Sequence, residues 1–209
     1  MAISTYTELQ TAVDNWLART DLAGRSPEFI TMAEARMNRE LETRSQEKRV
    51  TATLAANDAY VSLPTDMRRI RQVRLNTSPT TTLIYYTPNA IDQKYPSAGT
   101  GKPVAYSILG TEIYLRPTPD TTYTAEIAYV ADIDALDGDT STNTILQRHP
   151  DAYLHGALAE AFGYLMDETR QAKHDTLFTR AISEIKADEE RAIYGGGTLT
   201  VGSDYGEIT

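Results

Sequence analysis

The chain has 209 residues, of which 41% are hydrophobic and 23% charged, a composition typical of a folded globular protein rather than a disordered or collagen-like one. It contains no cysteine, which excludes disulfides, thiolate nucleophiles and cysteine-ligated zinc. The formal net charge of -9 argues against a protein whose main task is to grip nucleic acid, because phosphate binding requires clustered lysine and arginine.

Two amphipathic helices are predicted near the start of the chain. Thr5 and Glu8 have the spacing of a capping box, and a helix is predicted over residues 6–19 with an apolar face of Leu9, Val13, Trp16 and Leu17. The second helix is predicted to begin with Ser26 as N-cap and Pro27 at the first helical position. Its buried face is predicted to carry Ile30, Ala33, Met37 and Leu41, with Glu34 among the charged residues that fall largely elsewhere.

From about residue 48 the hydrophobic period changes from helical to alternating, which predicts a β-rich region. Residues 50–54 and 59–63 flank Asn57 and Asp58, whose turn chemistry predicts a hairpin. Further strands are predicted at 71–75, 83–86, 104–109, 112–116 and 123–130. A tight turn is predicted at Gly110-Thr111, and a short helical turn at 88–95.

Helical spacing returns after His149-Pro150 and predicts two more helices, the first of them the most buried element and the second over about residues 167–194. Packing the terminal helices together buries all four apolar stripes. We therefore predict an α+β fold, in which an antiparallel helical bundle (residues 1–47 and 140–194) carries an inserted antiparallel β-rich domain (residues 48–139). Residues 195–209 are expected to form an extended tail.

No motif in the sequence supports catalysis, a metal or a cofactor. His149, His155 and His174 lack metal-ligand spacing, and we interpret them as ordinary helix or helix-entry residues. The acidic run over residues 132–139 departs from a calcium loop at Leu136 and Asn143, so a solvated acidic linker is favoured. We expect no enzymatic activity.

Two features of the β region are candidate contact surfaces. Arg69 and Arg71 would share one strand face if no bulge intervenes, and could meet an acidic partner or a DNA phosphate. The alternative is a solvated strand face that discourages edge-to-edge pairing. Tyrosine is enriched (13, against 3 phenylalanines), and Tyr85, Tyr86 and Tyr95 are candidates for inter-subunit or acidic-partner contacts, with cross-strand pairing within one subunit as the alternative.

Five segments in a fixed order carry a resemblance to a known family. They are PEFITMAEARMNRELETRSQE, LPTDMRRIRQVRLN, LIYYTPNAIDQKYP, KPVAYSILGTEIYLRPTPDTTYTAEIAYVADIDAL and HPDAYLHGALAEAFGYL, which together span about residues 27–166. This set resembles the phage adaptor, or head–tail connector, family, which is related to the tail tubular adaptor of short-tailed phages.

The resemblance implies a structural protein of the virion at the head–tail junction, assembled in the host bacterial cytoplasm. It implies a ring of about twelve copies, docked on the portal protein and supporting a tail nozzle or other tail protein. DNA would pass through the channel without specific binding, and no membrane contact is expected, since the chain shows neither a secretion signal nor an apolar run long enough to span a bilayer.

In such a ring the tail is a candidate contact with the portal or a neighbour, made by adding a strand through Leu199, Val201, Tyr205 and Ile208. The alternative functions are a head-completion or tail-terminator protein and, more remotely, a glycan-binding tail component.

Overall fold

The computed structural model describes residues 3–22, 24–97, 99–138 and 140–193. The chain divides into two compact units: Met1–Thr43 with Leu136–Thr209, and Arg44–Ala135. We call them the helical unit and the β unit. Together they form an α+β fold, in which both ends of the chain contribute helices.

The helical unit is built from helices α1 (Tyr6–Leu17), α2 (Ser26–Glu40), α4 (Thr144–Arg148), α5 (Pro150–Tyr164) and α6 (Glu168–Ile193). Helix α5 is the centre of this unit and packs against α1, α2 and α6. Nine of its fifteen residues are buried, which confirms the prediction of a highly buried helix. The apolar stripes predicted for α2 and α6 are also confirmed, since Ile30, Ala33, Met37, Leu41, Phe178, Ala181, Ile182 and Ile185 are all buried.

Helix ends agree with the sequence patterns in one case and differ in another. The capping box of α1 is present, because the Thr5 hydroxyl accepts from the Glu8 amide while the Glu8 carboxylate accepts from the Thr5 amide. Ser26 is not the N-cap of α2. It is the first helical residue and is buried, Arg25 is the cap, and Pro27 is therefore the second helical residue instead of the first.

For two side chains of the helical unit, the observed burial is the opposite of the predicted burial. Trp16 is 55% exposed, although its spacing placed it on the apolar face of α1. Glu34 is 5% exposed, although it is charged. Helix α4 was not predicted; it begins at the cap Asn143, whose side-chain oxygen accepts from the Leu146 amide at 2.8 Å.

In the part of the β unit that the structure describes, the strands form two four-stranded sheets and a two-stranded one. The first sheet has the order β1 (Glu47–Leu54), β10 (Tyr123–Ala131), β3 (Met67–Leu75), β4 (Thr81–Thr82). The second has the order β2 (Tyr60–Ser62), β8 (Glu112–Arg116), β7 (Ala105–Leu109), β5 (Ile84–Tyr85), and the short pair is β6 (Thr100–Gly101) with β9 (Thr118–Pro119). The four-stranded sheets are antiparallel except for the two-residue ladder β5–β7, which is parallel. The separate pair β6–β9 is also parallel.

The second sheet lies between two apolar clusters. On one face, Tyr106, Ile113 and Leu115 pack into a cluster with residues of the first sheet such as Val73 and Ile127. On the other face, Ala105 and Tyr114 pack against Ile91 of helix α3 (Pro88–Lys94). The alternating residues of β7 and β8 therefore pack into two different cores. Along β10, Ala125, Ile127 and Tyr129 alternate with less buried residues and form one buried face.

The predicted hairpin of residues 50–54 and 59–63 is wrong. Strand β1 pairs with β10, and β2 pairs with β8 in the other sheet. The turn chemistry is nevertheless correct, because Asn57 has a positive φ of 62°. The turn carries the chain from one sheet to the other instead of closing a hairpin. The hairpin of β7 and β8 around Gly110, with φ 60°, is as predicted.

Candidate functional site

A groove of about 580 Å³ lies on the β unit beside strand β3. Its apolar lining is contributed by β3, β5 and β7 through Met67, Ile70, Tyr85, Tyr106 and Ile108. Three arginines of β3, Arg68, Arg69 and Arg71, also line it. We call this feature the arginine groove; it combines an apolar surface with concentrated positive charge.

Two irregularities in β3 explain why so many arginines border one groove. In the ladder with β10, Gln72 pairs with Ala128 and Ile70 with Tyr129, so that Arg71 is an extra residue. The same happens at Arg68, between Arg69 and Met67. Bulges of this kind redirect side chains, so simple alternation fails here. The condition under which Arg69 and Arg71 were predicted to share a strand face is not met, yet both line the groove.

The sheets around the arginine groove have incomplete ladders. Strand β4 pairs with β3 at Arg74 and Leu75 alone. Strand β5 pairs with β7 at Ala105 and Tyr106 alone. Among the residues that the structure describes, no further strand pairs with β3 over 67–72 on the side away from β10, or with β7 over 107–109 on the side away from β8. Both open stretches contribute residues to the groove.

Two ion pairs of the groove arginines differ in exposure, since the Arg71 side chain is exposed and that of Arg68 is half-buried. The Arg71 guanidinium lies 3.3 Å from a Glu47 carboxylate oxygen, and that of Arg68 lies 3.6 Å from Asp132. The exposed Arg71–Glu47 pair contributes about 0–1 kcal/mol, so an acidic partner can compete with Glu47 for Arg71. Arg74 pairs across the ladder with Glu126 at 3.0 Å and does not line the groove.

The structure brings three of the five candidate contacts of the β region together. Tyr85 is 51% exposed and meets Tyr106 edge-on with ring centroids 5.5 Å apart, beside Arg69 and Arg71 in the arginine groove. Tyr86 lies elsewhere, where its hydroxyl accepts from the Lys94 ammonium at 2.7 Å. Tyr95 packs against the α3 cluster. Four groove residues were not predicted, because apolar residues in a strand pattern indicate core positions; they are Met67, Ile70, Tyr106 and Ile108.

The helical unit brings together two histidines, His155 and His174, whose spacing in the sequence was interpreted as that of ordinary helix residues. The Nδ1 atoms of His155 and His174 are 3.2 Å apart, His174 is stacked on Phe162, and the edge of Trp16 contacts both rings. Burial lowers the pKa of both histidines, so the neutral pair is favoured. In the described part of the chain no three His, Cys, Asp or Glu side chains are grouped as a metal site would need.

Glu34 is held in the interior of the helical unit by two donors. The Leu136 amide donates to Oε1 at 2.9 Å and the Tyr153 hydroxyl to the same atom at 3.1 Å. The Asn143 amide in turn donates to the Tyr153 hydroxyl at 2.6 Å, which connects this network to the cap of α4. Burial raises the pKa of Glu34 in spite of these bonds.

The acidic linker carries ion pairs where the structure describes it. Asp134 pairs with Lys48 at 2.9 Å, and Asp132 faces Arg68. The candidate tail contacts Leu199, Val201, Tyr205 and Ile208 lie outside the described residues.

The net negative charge belongs to the helical unit. Residues 44–135 contain 10 lysines and arginines against 9 acidic residues, whereas the remainder of the chain contains 10 against 20. The β unit therefore has a formal charge of +1 and the helical unit a charge of -10.

A comparison with protein-family models decides the family. The model of the SU10 adaptor protein matches residues 4–202, which is nearly the whole chain. The chain belongs to the SU10 adaptor protein family. This is a phage adaptor family, so the protein is a phage structural adaptor and a component of the virion. The resemblance found from the ordered sequence segments is thereby confirmed.

Membership of this family sets the broad functional class of the adaptor. Structural adaptors of phages are usually without enzymatic activity, and they associate with other virion proteins. No curated protein matches the chain. Among the described helices, none is both long enough and apolar enough to cross a membrane.

Proposed function

We propose that this adaptor assembles as a ring between the portal and the tail nozzle or another tail protein, with a central channel through which DNA passes. The match to the SU10 adaptor protein over residues 4–202 is the observation that carries the proposal. The ring would hold about twelve copies, the number that the family resemblance implies.

The uneven charge of the chain supports a DNA channel. Acidic walls keep phosphates in solution, whereas a basic lining would bind many phosphates and oppose sliding. The helical unit, at -10, has the charge that a non-adhesive wall requires. We propose that acidic residues of this unit line the channel and that DNA makes no specific contact with it.

A closed ring of identical copies needs two different faces on each copy that fit one another. Candidate faces exist in both units. The β unit exposes Ile84, Tyr85 and Val104, and the helical unit exposes Met32, Tyr164 and Met166. We propose that these exposed apolar side chains contribute to the two faces.

The decisive experiment is binding to the purified portal protein, followed by electron microscopy. A ring on one end of the portal, seen only when both proteins are present, is the expected result. A ring that binds tail components but not the portal would instead assign the chain as a tail terminator and refute the head–tail position.

Particles from a phage that lacks this gene provide the second test. We expect tailless heads that are first filled with DNA and then leak it, because the portal channel would be left without its adaptor. Normal infectious particles would contradict the proposal. Complementation with the intact gene controls for effects on neighbouring genes.

A further inference from the structure

We propose that the arginine groove of one copy binds the C-terminal segment of another copy, residues 196–209, as an added β-strand. The proposal rests on the proposed ring, since it states which surfaces join neighbouring copies. Four features of the chain carry it: the open strand edges, the apolar lining, the arginines, and the composition of the segment.

The open edges supply the backbone partners. An unpaired strand edge presents a row of amide and carbonyl groups, and an extended peptide completes the ladder by hydrogen bonding to them. Here two sheets leave edges open beside the same groove, one at β3 over residues 67–72 and one at β7 over 107–109. An incoming strand can therefore extend either sheet while its side chains face the other.

The apolar lining fits the alternation of the segment. Thr198-Leu199-Thr200-Val201 alternates polar and apolar residues, so Leu199 and Val201 share one face of a strand. Four residues of strand span about 13 Å, a length suited to the open part of β3. The lining residues Ile70, Tyr85 and Ile108 offer an apolar surface to these two side chains.

Charge complementarity favours this segment as the occupant. Residues 196–209 contain Asp204 and Glu207 and no lysine or arginine. The groove carries three arginines, and the Arg71–Glu47 ion pair among them is exposed. A guanidinium binds a carboxylate through paired hydrogen bonds. Such bonds to Asp204 or Glu207, which follow Val201 in the chain, would fix the register of the bound segment.

The bulges at Arg68 and Arg71 do not contradict this inference. Bulges and charged side chains on a strand edge prevent unselective pairing with other edges. An edge protected in this way still accepts a strand whose charges match the arginines. Selectivity for an acidic segment is what an adaptor needs, because its copies must join in one geometry only.

Cysteine cross-linking of the full-length chain tests the inference, because the natural chain contains no cysteine. One copy carries Val201→Cys, and a second copy with a larger affinity tag carries Tyr85→Cys or Ile108→Cys. A disulfide forms only where the Cβ atoms come within about 4.5 Å, so cross-linking reports contact between the segment and the groove. The matched control is Tyr60→Cys, an exposed tyrosine (46%) on β2, the other edge strand of the same sheet.

We expect the hetero-dimer of unequal tags to form at least 10-fold faster with Tyr85→Cys or Ile108→Cys than with Tyr60→Cys. Adding Arg69→Glu and Arg71→Glu to the groove copy should slow cross-linking at least 5-fold. Adding Arg49→Glu, an exposed arginine of β1 outside the groove, should change the rate less than 2-fold. Circular dichroism of each variant verifies that it is folded.

Three results would overturn the inference. The first is equal cross-linking of Tyr85→Cys and Tyr60→Cys, which would indicate random collision. The second is cross-linking only within one chain when Val201→Cys and Tyr85→Cys are combined, which would place the segment in its own groove. The third is a ring on the portal in which Val201→Cys does not cross-link to the groove, which would assign the groove to another protein.

The third result would leave the proposed function intact. Conversely, Val201→Cys of one copy could cross-link to the groove of another although the chain does not bind the portal. That outcome would refute the head–tail position and still support the inference about the groove.

Discussion

Replacement of Glu34 tests whether a buried carboxylate holds the helical unit together. Its Oε1 atom accepts from the Leu136 amide and from the Tyr153 hydroxyl, and the side chain is almost fully buried. In Glu34→Ala both donors lose their acceptor. In Glu34→Gln the amide oxygen replaces Oε1 and can accept both bonds.

The expected magnitude follows from these two bonds. A hydrogen bond to a charged group contributes about 1.5–3 kcal/mol, and a buried donor without an acceptor costs about 1–3 kcal/mol. Removal of the carboxylate also removes its desolvation cost, the main cause of its raised pKa. We therefore expect Glu34→Ala to lower the free energy of unfolding by about 2–4 kcal/mol, and Glu34→Gln to change it by less than about 1 kcal/mol at neutral pH.

The sign of the pH dependence is also fixed. Because the pKa of Glu34 is higher in the folded chain than in the unfolded one, this group favours folding at low pH, and that contribution is lost as the pH rises through the folded pKa. Glu34→Gln does not titrate. Its stability relative to the natural chain should therefore increase between pH 5 and pH 8.

Urea unfolding monitored by tryptophan fluorescence is a suitable assay, because Trp16 is the single tryptophan and lies in α1 of the helical unit. With a slope of about 2 kcal/mol/M, the expected loss for Glu34→Ala moves the midpoint by about 1–2 M. The control is Glu28→Ala, an exposed acid on the same helix, which should cost less than about 1 kcal/mol. Equal stabilities of Glu34→Ala and Glu34→Gln would refute the reasoning.

Two further predictions concern the packing and titration of α5. Gly156→Ala should lower stability by about 1–3 kcal/mol, because a Cβ there would lie 3.0 Å from the side chains of Ala33 and Phe178. Gly163→Ala, whose Cβ meets only the end of a flexible glutamine, should instead gain up to about 1 kcal/mol; equal effects of the two in thermal unfolding would contradict the packing argument. The lowered pKa values of His155 and His174 favour folding at neutral pH, a contribution lost as the pH falls below about 6.5. His174→Phe, which keeps a ring against Phe162, should reduce the loss of stability between pH 7.5 and pH 5, and an unchanged pH profile would show that the pair does not titrate in this range.

The helices were predictable because their signals are local. The capping box at Thr5 and the proline at position 27 set helix starts within a few residues, and the 3.6-residue period of α2 and α6 identified their buried faces. The burial of Trp16 was predicted wrongly, because the helical period shows which face of a helix a residue lies on but not how deeply its side chain is buried. Its position on α1 leaves half of the ring outside the core, against the two histidines.

Strand pairing was less predictable, since it depends on residues far apart in the chain. The turn at Asn57 was predicted correctly, but the pairing of the strands beside it was not, because β1 pairs with β10, which lies about 75 residues later in the chain. The arginines and Tyr85 were recognised as candidates from composition alone. Their assembly into one groove needed the bulges of β3, and bulges have no signature in this sequence.

The sequence by itself determined the family, the α+β class and the order of the elements, since each depends on local patterns or on residues that follow one another along the chain. Only the tertiary structure decided which strands share a sheet, that Glu34 is buried, and that His155 meets His174. These features come from contacts between residues distant in sequence, whose free energies are set by the packing of the whole unit.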